Sequence, residues 1–276
     1  MYINQDLVGR SDAGRELSTP ALLIDLDVLE RNIARMAEHC RKSGLALRPH
    51  AKTHKSAAIA KAQIAAGAVG VCCAKVGEAE ALSFGGVDDI LITSPVAAPR
   101  TIERLATLNQ ATSGLMVVVD HPRGATLLSQ AAQRSGKPIT VLVDVDPGMG
   151  RTGAAPGEAA LTLGKTVDAL PYLILAGLQC YDGDVQHLYG LQRRRRRSAL
   201  VMELLAQTRD AFGQAGLNTA ILSGGGTGSH DIDPAAGVLT ELQAGSYIFM
   251  DRQYNELEHA EARPPFETAL FVQTTV

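Results

Sequence analysis

The sequence predicts an α/β protein whose strands close into a (β/α)8 TIM barrel. Short β-rich apolar runs alternate with segments of helical period along most of the 276 residues, as parallel strands joined by crossover helices do. An isolated first run is followed by eight more, and one barrel typically needs about 250 residues. A doubly wound open sheet is the alternative, although eight open strands would leave edges that need protection.

Each predicted strand is a short run rich in β-branched and aliphatic residues, and each predicted helix has an apolar period near 3.6. After the isolated run 21–26, the predicted barrel strands are 45–49, 69–73, 89–93, 115–119, 139–145, 174–180, 219–223 and 240–244. The predicted helices are 27–43, 56–66, 77–84, 99–108, 122–135, 157–170 and 192–215. Gly67, Gly86 and Gly216 each stand between a helix and a strand, where a left-handed glycine ends the helix.

The composition argues against several functional classes. A net charge of −3 gives no overall attraction to nucleic acid or to anionic membranes, and 4% aromatic residues without Trp do not make a base-stacking surface. We find neither a transmembrane run nor a secretory signal. The four cysteines form no Cys-x-x-Cys pair and are interpreted as reduced thiols. We therefore expect a cytoplasmic protein with no nucleic-acid or membrane partner.

Several reactive side chains follow predicted strands at their carboxyl ends, where barrels hold their active sites. Lys52, in the run RPHAKTHK, is a candidate Schiff-base nucleophile, because desolvation lowers the pKa of an amine; a surface lysine is the alternative. Arg151 stands between glycines and is a candidate for binding an anion or a phenolate oxygen, unless the loop is a mobile turn. His187 is a candidate general base or metal ligand, or else a structural hydrogen bonder.

The run SGGGTGS at 223–229 follows the predicted seventh barrel strand. Successive glycines let backbone N–H groups approach a ligand, and this position is where barrels commonly bind phosphate. Ser246 and Tyr247, after the eighth strand, offer an N–H, a hydroxyl and a phenol to the same phosphate. Because the first and eighth strands are neighbours in a closed barrel, the phosphate would face Lys52. A phosphorylated aldehyde that is bound to a lysine is pyridoxal 5′-phosphate.

These motifs together resemble the D-threonine aldolase family, which includes the 3-hydroxy-D-aspartate aldolases and is related to the eukaryotic-type D-serine dehydratases. The resemblance extends from about residue 18 to 276 and rests on RPHAKTHK at 48–55, GVCCAKVGEAE at 70–80, GRTG at 150–153, YDG with QH at 181–187, SGGGTGS at 223–229, TELQAGSY at 240–247 and FMD at 249–251. It implies an alanine racemase-type fold. We expect a pyridoxal phosphate barrel at 27–250, with 18–26 and 266–276 as strands of a β-domain that is incomplete here.

The resemblance also implies an activity and a set of roles. The reaction is the retro-aldol cleavage of a D-3-hydroxy amino acid to glycine and an aldehyde, with Lys52 as the Schiff-base lysine and His187 acting near the β-hydroxyl. Arg151 would reach the phenolic oxygen of the cofactor. The residues expected to bind the cofactor are Lys52, Arg151, Gln179, Tyr181, Gly225, Gly226, Thr227, Gly228, Ser246 and Tyr247. A homodimer is expected because active sites of the family are completed by a partner chain.

Two features leave alternatives open. The family binds a divalent metal, Mn or Mg, through a His and an Asp near the end of the β-domain, and this sequence ends at Val276 before such a pair; His230-Asp231 is not that motif. Two alternatives to the aldolase therefore stay open. One is a pyridoxal phosphate-binding protein without aldolase activity, and the other is a D-serine or 3-hydroxyaspartate dehydratase. The five arginines at 193–197 are interpreted as a solvated helix face, or otherwise as an anion-contact patch.

Overall fold

The computed structural model describes residues 3–259 and 264–276, and its centre is a parallel eight-stranded sheet. The sheet strands are β2 (Ala46–Leu47), β3 (Val71–Cys73), β4 (Ile90–Ile92), β5 (Leu115–Val119), β6 (Ile139–Asp144), β7 (Leu173–Cys180), β8 (Ile221–Gly224) and β9 (Glu241–Leu242). Their order is β2-β9-β8-β7-β6-β5-β4-β3. All eight predicted barrel strands are present: β5 has the predicted bounds, β7 begins one residue earlier, and the other six contain fewer residues.

The two outer strands of that order meet each other. The Val69 N–H donates to the Leu47 carbonyl at 2.9 Å, the Cys72 N–H donates to the Pro49 carbonyl at 2.9 Å, and His50 forms a parallel bridge with Cys72. The sheet therefore closes on itself as a barrel, and the open-sheet alternative is wrong.

Helices connect the strands and cover the outside of the barrel. They are α1 (Leu26–Lys42), α2 (Ala57–Ala65), α3 (Val76–Phe84), α4 (Pro99–Ala111), α5 (Pro122–Ser135), α6 (Glu158–Ala169), α7 (Leu191–Gln214) and the short α8 (Arg252–Asn255). The end signals explain why the prediction of α5 was correct to the residue. His121 caps the first turn through its side chain, Pro122 opens the helix, and Gly136 ends it with φ of 76°.

Alternate strand residues serve two cores, as the period of two in a strand requires. In β4, Ile90 and Ile92 pack toward the helices, whereas Leu91 belongs to the cluster that fills the barrel interior. A buried polar layer lies beside this apolar plug. Arg48 and Glu241 form its ion pair at 3.0 Å, and the Ser223 hydroxyl donates to Glu241 at 2.6 Å.

A separate two-stranded antiparallel sheet joins the two ends of the chain. Strand β1 (Ala21–Ile24) pairs with β10 (Leu270–Gln273), so that Ala21 lies opposite Gln273. The predicted runs 21–26 and 266–276 are thus neighbours, and their assignment to a second domain stays a prediction. Leu22 and Val272 on this sheet are exposed.

The arginine run lies in the first turns of α7 and is not uniformly solvated. Arg193, Arg195 and Arg196 are exposed, but Arg194 is 1% exposed and donates to the Glu258 carbonyl. Arg197 is also turned inward, toward loops at the barrel mouth. The interpretation as a solvated helix face is therefore wrong for two of the five side chains. Within the described chain, no helix has both the length and the apolarity needed to cross a bilayer.

Candidate active site

Lys52 lies at the carboxyl end of β2, in a short 3-10 helix, Ala51–Thr53. The His50 side chain fixes this turn, since its Nδ1 accepts the Lys52 N–H at 3.3 Å while its Nε2 lies 3.1 Å from Thr93 Oγ1. Burial lowers the pKa of His50 well below its usual value, and the Lys52 cation lowers it further. A neutral imidazole therefore supports the turn that carries the lysine.

The Lys52 amine, Tyr181 and Arg151 meet at the barrel mouth. The Lys52 Nζ lies 5.4 Å from the centroid of the Tyr181 ring, and the guanidinium carbon of Arg151 lies 5.4 Å from the same centroid. Water reaches Lys52, but the surrounding walls desolvate the ammonium and lower its pKa, and the Arg151 cation adds to this. Both effects increase the fraction of neutral, nucleophilic amine.

Arg151 is presented by the loop that follows β6. Asp146 shapes this loop, because its Oδ1 accepts the backbone N–H groups of Gly148, Met149 and Gly150 at 2.9, 2.8 and 3.2 Å. Arg151 itself is exposed, so its donors face the mouth and the solvent. Burial raises the pKa of Tyr181, whereas the Arg151 cation opposes that rise.

The glycine-rich run after β8 forms a tightly packed loop, which we call the phosphate cradle and define as residues 224–229 and 245–247. Its packing partner is Gln186: a Cβ on Gly226 would lie 2.4 Å from the Gln186 Oε1, and one on Gly228 would lie 2.1 Å from the Gln186 carbonyl oxygen. The Gly228 N–H donates to the Gln186 Oε1 at 2.8 Å. Gly225 has φ of +65°, which favours glycine.

Several cradle donors point at no protein acceptor. Among residues 3–259 and 264–276, the backbone N–H groups of Gly226, Thr227 and Ser246 have no hydrogen-bond acceptor, and Gly226 and Thr227 are buried. Buried N–H groups are normally paired, so these donors suit the oxygens of a phosphate. The cradle also packs on the Lys52 turn, since a Cβ on Gly245 would lie 2.9 Å from Thr53 Oγ1. Lysine and phosphate donors therefore share one mouth, and these residues fit pyridoxal phosphate.

Tyr247 contributes to the cradle through its backbone only. Its N–H donates to Thr227 Oγ1 at 3.0 Å, while its phenol, fully buried, accepts a hydrogen bond from the Gln63 amide at 2.8 Å. The ring packs against Phe266 at a centroid distance of 5.5 Å. The expectation that the phenol faces the phosphate is corrected, because the apolar ring is held in the core behind the cradle.

Gln179 lies inside the barrel mouth with its amide already engaged. Its Nε2 donates to the Thr93 carbonyl at 3.0 Å and to Asp144 Oδ1 at 2.8 Å, and its Oε1 accepts from Gln243 at 3.0 Å. Burial raises the pKa of Asp144 to about 6, and the Gln179 donor opposes this rise. Gln179 therefore forms part of the floor of the mouth.

His187 lies at the edge of the same mouth, on the loop after β7. Its ring contacts the Tyr254 ring at a centroid distance of 4.5 Å, and its side chain is exposed. Burial raises the pKa of Tyr254, with a contribution from the adjacent Tyr181, and the Ser246 hydroxyl opposes the rise. Tyr254 thus connects His187 with the cradle and with Tyr181.

Gln186 and Tyr254 were not among the predicted site residues. Gln186 stands beside His187 in a quoted motif, but the approach of its side chain to Gly228 spans 42 residues. Tyr254 follows Asp251, whose side chain caps α8 at 2.9 Å; a capping Asp before a short polar segment is the one local signal for this turn.

The fold and its mouth define a class of protein: a parallel barrel with a partly desolvated lysine and a set of unpaired backbone N–H donors at the carboxyl ends of its strands. The chain belongs to the alanine racemase N-terminal domain family, whose description "Alanine racemase, N-terminal domain" matches residues 24–253. The resemblance inferred from the motifs is thereby confirmed, together with the fold that it implies.

Three relatives show where the chain lies within this family. It is 39% identical over 266 residues to a 3-hydroxy-D-aspartate aldolase of Paracoccus denitrificans (strain Pd 1222), covering 95% of this chain and 69% of that protein. The structure of a D-threonine aldolase from Filomicrobium marinum matches with a TM-score of 0.90 at 42% identity, covering 93% of this chain and 69% of that one. A D-threo-3-hydroxyaspartate dehydratase of Delftia sp. (strain HT23) is 31% identical over 241 residues, 85% of this chain and 62% of that protein.

The described residues do not provide a set of ligands for the divalent metal that the resemblance implies. Within the described residues, no group of three or more His, Cys, Asp or Glu side chains is placed to hold a metal ion. His230 illustrates this, since its Nδ1 lies 2.7 Å from the Thr227 carbonyl oxygen and 3.9 Å from Asp231 Oδ1. We therefore derive no step through a metal.

Proposed function

We propose that this chain holds pyridoxal phosphate through Lys52 and cleaves a D-3-hydroxy amino acid to glycine and an aldehyde. The observation that carries the proposal is the meeting of Lys52, Tyr181 and Arg151 at the mouth that also contains the phosphate cradle. The similarity to a 3-hydroxy-D-aspartate aldolase and a D-threonine aldolase supports this reaction over that of the more distant dehydratase.

Different residues would bind different parts of the cofactor. The free N–H groups of the cradle, with the Thr227 and Ser246 side chains nearby, would bind the phosphate, and Lys52 would supply the amine for the covalent link. Arg151 would donate to the phenolic oxygen, and Tyr181 would pack against the ring. The bound cofactor supplies an electron sink for a bond broken at Cα.

The remaining task of the protein is to remove a proton and to select the bond that breaks. His187 would accept the proton of the substrate β-hydroxyl at one of its ring nitrogens, which promotes cleavage of Cα–Cβ rather than loss of hydroxide. Tyr254 would orient that imidazole through their ring contact. Loss of the β-hydroxyl instead would give ammonia and a keto acid, the outcome of a dehydratase.

We further propose the organisation in which this chemistry takes place. Residues 27–250 would form the cofactor-binding barrel, and 18–26 with 266–276 would belong to a β-domain. A cytoplasmic homodimer with neither nucleic-acid nor membrane partners is proposed, with metal dependence as in the family. The four cysteines are free and buried, which supports a reducing compartment.

The test begins with the visible absorption spectrum of the purified protein with added pyridoxal phosphate. We expect a new band that borohydride fixes to the protein, that Lys52→Ala abolishes and that Lys55→Ala retains. Lys55 is a matched control because it lies three residues away and is exposed. A wild-type protein without such a band, or a band that persists in Lys52→Ala, would contradict the proposed cofactor site.

D-threonine is then added to the loaded protein, with and without manganese. Glycine and acetaldehyde in equal amounts would support the aldolase. Ammonia with a keto acid would overturn it in favour of the dehydratase, and a Lys52-dependent band without turnover would leave a cofactor-binding protein.

A further inference from the structure

Arg197 differs from its neighbours in the arginine run of α7. Arg195 and Arg196 are exposed, whereas the Arg197 side chain is 30% exposed and reaches over the barrel mouth. Its guanidinium spans two loops: Nε donates to Asp182 Oδ2 at 2.5 Å, and Nη2 donates to the Pro147 carbonyl at 3.0 Å. A planar fork can hold two acceptors in fixed directions, which an ammonium cannot.

The two acceptors stand next to the site residues. Pro147 opens the turn that presents Arg151, and Asp182 directly follows Tyr181. The Asp182 carboxylate is almost fully buried, and its other oxygen accepts the Asp184 N–H at 2.9 Å. A buried carboxylate needs a charged or hydrogen-bonding partner, so Arg197 also stabilises the loop after β7.

A second contact joins the same loops. The Gly183 N–H lies 3.0 Å from the Met149 sulfur, and a Cβ on Gly183 would lie 3.0 Å from the Met149 methyl carbon. The loops therefore meet directly at Met149 and Gly183, and Arg197 of α7 joins them at a second place. Arg151 and Tyr181 extend from this junction toward Lys52.

We infer that Arg197 is a positioning residue that clamps the loops after β6 and β7 and so holds Arg151 against Tyr181. Its connection to the cofactor rests on the proposed function, whereas the clamp itself is a property of the protein alone. Arg197 thus gives the run at 193–197 a structural role besides forming a solvated helix face, because it joins two loops of the barrel mouth from α7.

The experiment compares Arg197→Lys with Arg196→Lys, which makes the same change one residue away on the exposed face. The first readout is limited trypsin digestion without cofactor, following cleavage after Arg151. If the clamp holds this loop, Arg197→Lys accelerates that cleavage about tenfold through local opening. Cleavage after Arg123, in helix α5, stays at the wild-type rate, and Arg196→Lys behaves as wild type.

The second readout is the pH midpoint of the absorption band of bound pyridoxal phosphate. A displaced Arg151 shifts this midpoint by about half a pH unit or more in Arg197→Lys only, since a cation controls the charge of the nearby oxygen. Asp182→Asn, which retains the Arg197 fork but removes the charge, gives a smaller shift in the same direction.

The two readouts separate the clamp from the cofactor. If cleavage after Arg151 and Arg123 accelerates equally, or neither changes, Arg197 contributes at most to global stability and the clamp is refuted. A wild-type protein without a cofactor band refutes the proposed function, and the digestion still decides the clamp. Selective cleavage with an unchanged band midpoint refutes the link from the clamp to Arg151 at the cofactor.

Discussion

The two walls of the barrel mouth are built on different principles. Residues 224–229 of the phosphate cradle are buried, Gly226 and Gly228 approach the Gln186 side chain and backbone too closely for any Cβ, and packing fixes the cradle donors. The adjacent wall, which we call the facing loops (146–153 and 181–187), carries the exposed Arg151 and His187. An Asp146 turn and the Arg197 fork order these loops around the buried Asp182 and Gln186.

This difference matches two tasks that the proposed function requires of one site. A phosphate group is the same in every turnover, and a preformed set of N–H groups binds it without reorganisation. Groups that act on the reacting end of a substrate need room for it, and exposed side chains on ordered loops provide that room. We therefore expect substitutions in the cradle to affect affinity for any phosphate, and substitutions of the exposed Arg151 and His187 to affect only the rest of the ligand.

The largest expected effect on cofactor affinity is that of Gly228→Ala in the cradle. The new Cβ would lie 2.1 Å from the Gln186 carbonyl oxygen, which is backbone and cannot rotate away. Affinity for pyridoxal phosphate should fall by about 100-fold or more, about 3 kcal/mol, as the cradle is displaced. Absorption titration measures this, and pyridoxal without its phosphate should bind both proteins almost equally.

Gly213→Ala is the matched control for this substitution. Gly213 lies on the exposed side of α7, and an added Cβ there meets no atom within 4 Å. Alanine should leave affinity unchanged and stabilise the helix by up to about 1 kcal/mol. An equal loss for pyridoxal and pyridoxal phosphate in Gly228→Ala would show that the cradle does not bind the phosphate.

Gln186→Ala should weaken the protein itself. The Gln186 amide accepts the Gly228 N–H and donates to Ser229 Oγ at 3.0 Å and to the Asp182 carbonyl at 3.2 Å. Its removal leaves a cavity and unpaired buried groups, which should cost about 2–5 kcal/mol of unfolding free energy. Urea unfolding measures the loss, and the exposed Gln207→Ala is the control. Equal stabilities of the two variants would exclude Gln186 as a structural support.

The sequence predicts the barrel well because its elements are encoded locally. Strand β5 and helix α5 were predicted to the residue, since a compact aliphatic run and a Pro–Gly pair set their ends. The predicted strand 45–49 shortens to Ala46–Leu47, because only these two residues form ladder pairs with β9. Pro49 has no N–H to donate to such a ladder, and this limit on the strand could be predicted from the sequence.

The same distinction between local signals and distant contacts applies to the site residues. Lys52, Arg151 and the glycine-rich run follow strands directly, so their place at the mouth could be predicted. The Tyr247 phenol was assigned to the wrong side, because its direction depends on Gln63, 184 residues away in sequence. Arg197 reaches Asp182 and Pro147 over 15 and 50 residues, and no local pattern distinguishes it from four adjacent arginines.

The pH dependence of stability tests the burial of the cradle. Asp233 lies beneath Gly225, and burial raises its pKa to about 6 while the Ser198 and Ser229 hydroxyls, which donate to it, oppose that rise. The folded state therefore binds this proton more tightly than the unfolded state. The resulting stabilisation is complete below the unfolded pKa near 4 and is lost as pH rises through about 6.

Asp233→Asn should remove this contribution, which is about 2 kcal/mol between pH 4 and pH 6. The difference in unfolding free energy between variant and wild type isolates it, because His54 and His230, whose pKa values burial lowers to about 4, act in the opposite direction in both proteins. Asp168→Asn, at an exposed carboxylate of α6, serves as the control. Parallel pH profiles of wild type and Asp233→Asn would contradict a protonated, buried Asp233.

The smallest expected effect is that of Arg151→Lys in the facing loops. The charge remains but the fork is lost, so pyridoxal phosphate should bind about tenfold more weakly, about 1.4 kcal/mol. Binding of inorganic phosphate, measured by its protection against thermal unfolding, should not change, because the cradle lies on the other wall. The exposed Arg123→Lys provides the control. If inorganic phosphate binding weakens equally, Arg151 acts on the phosphate and the two walls are not separate in function.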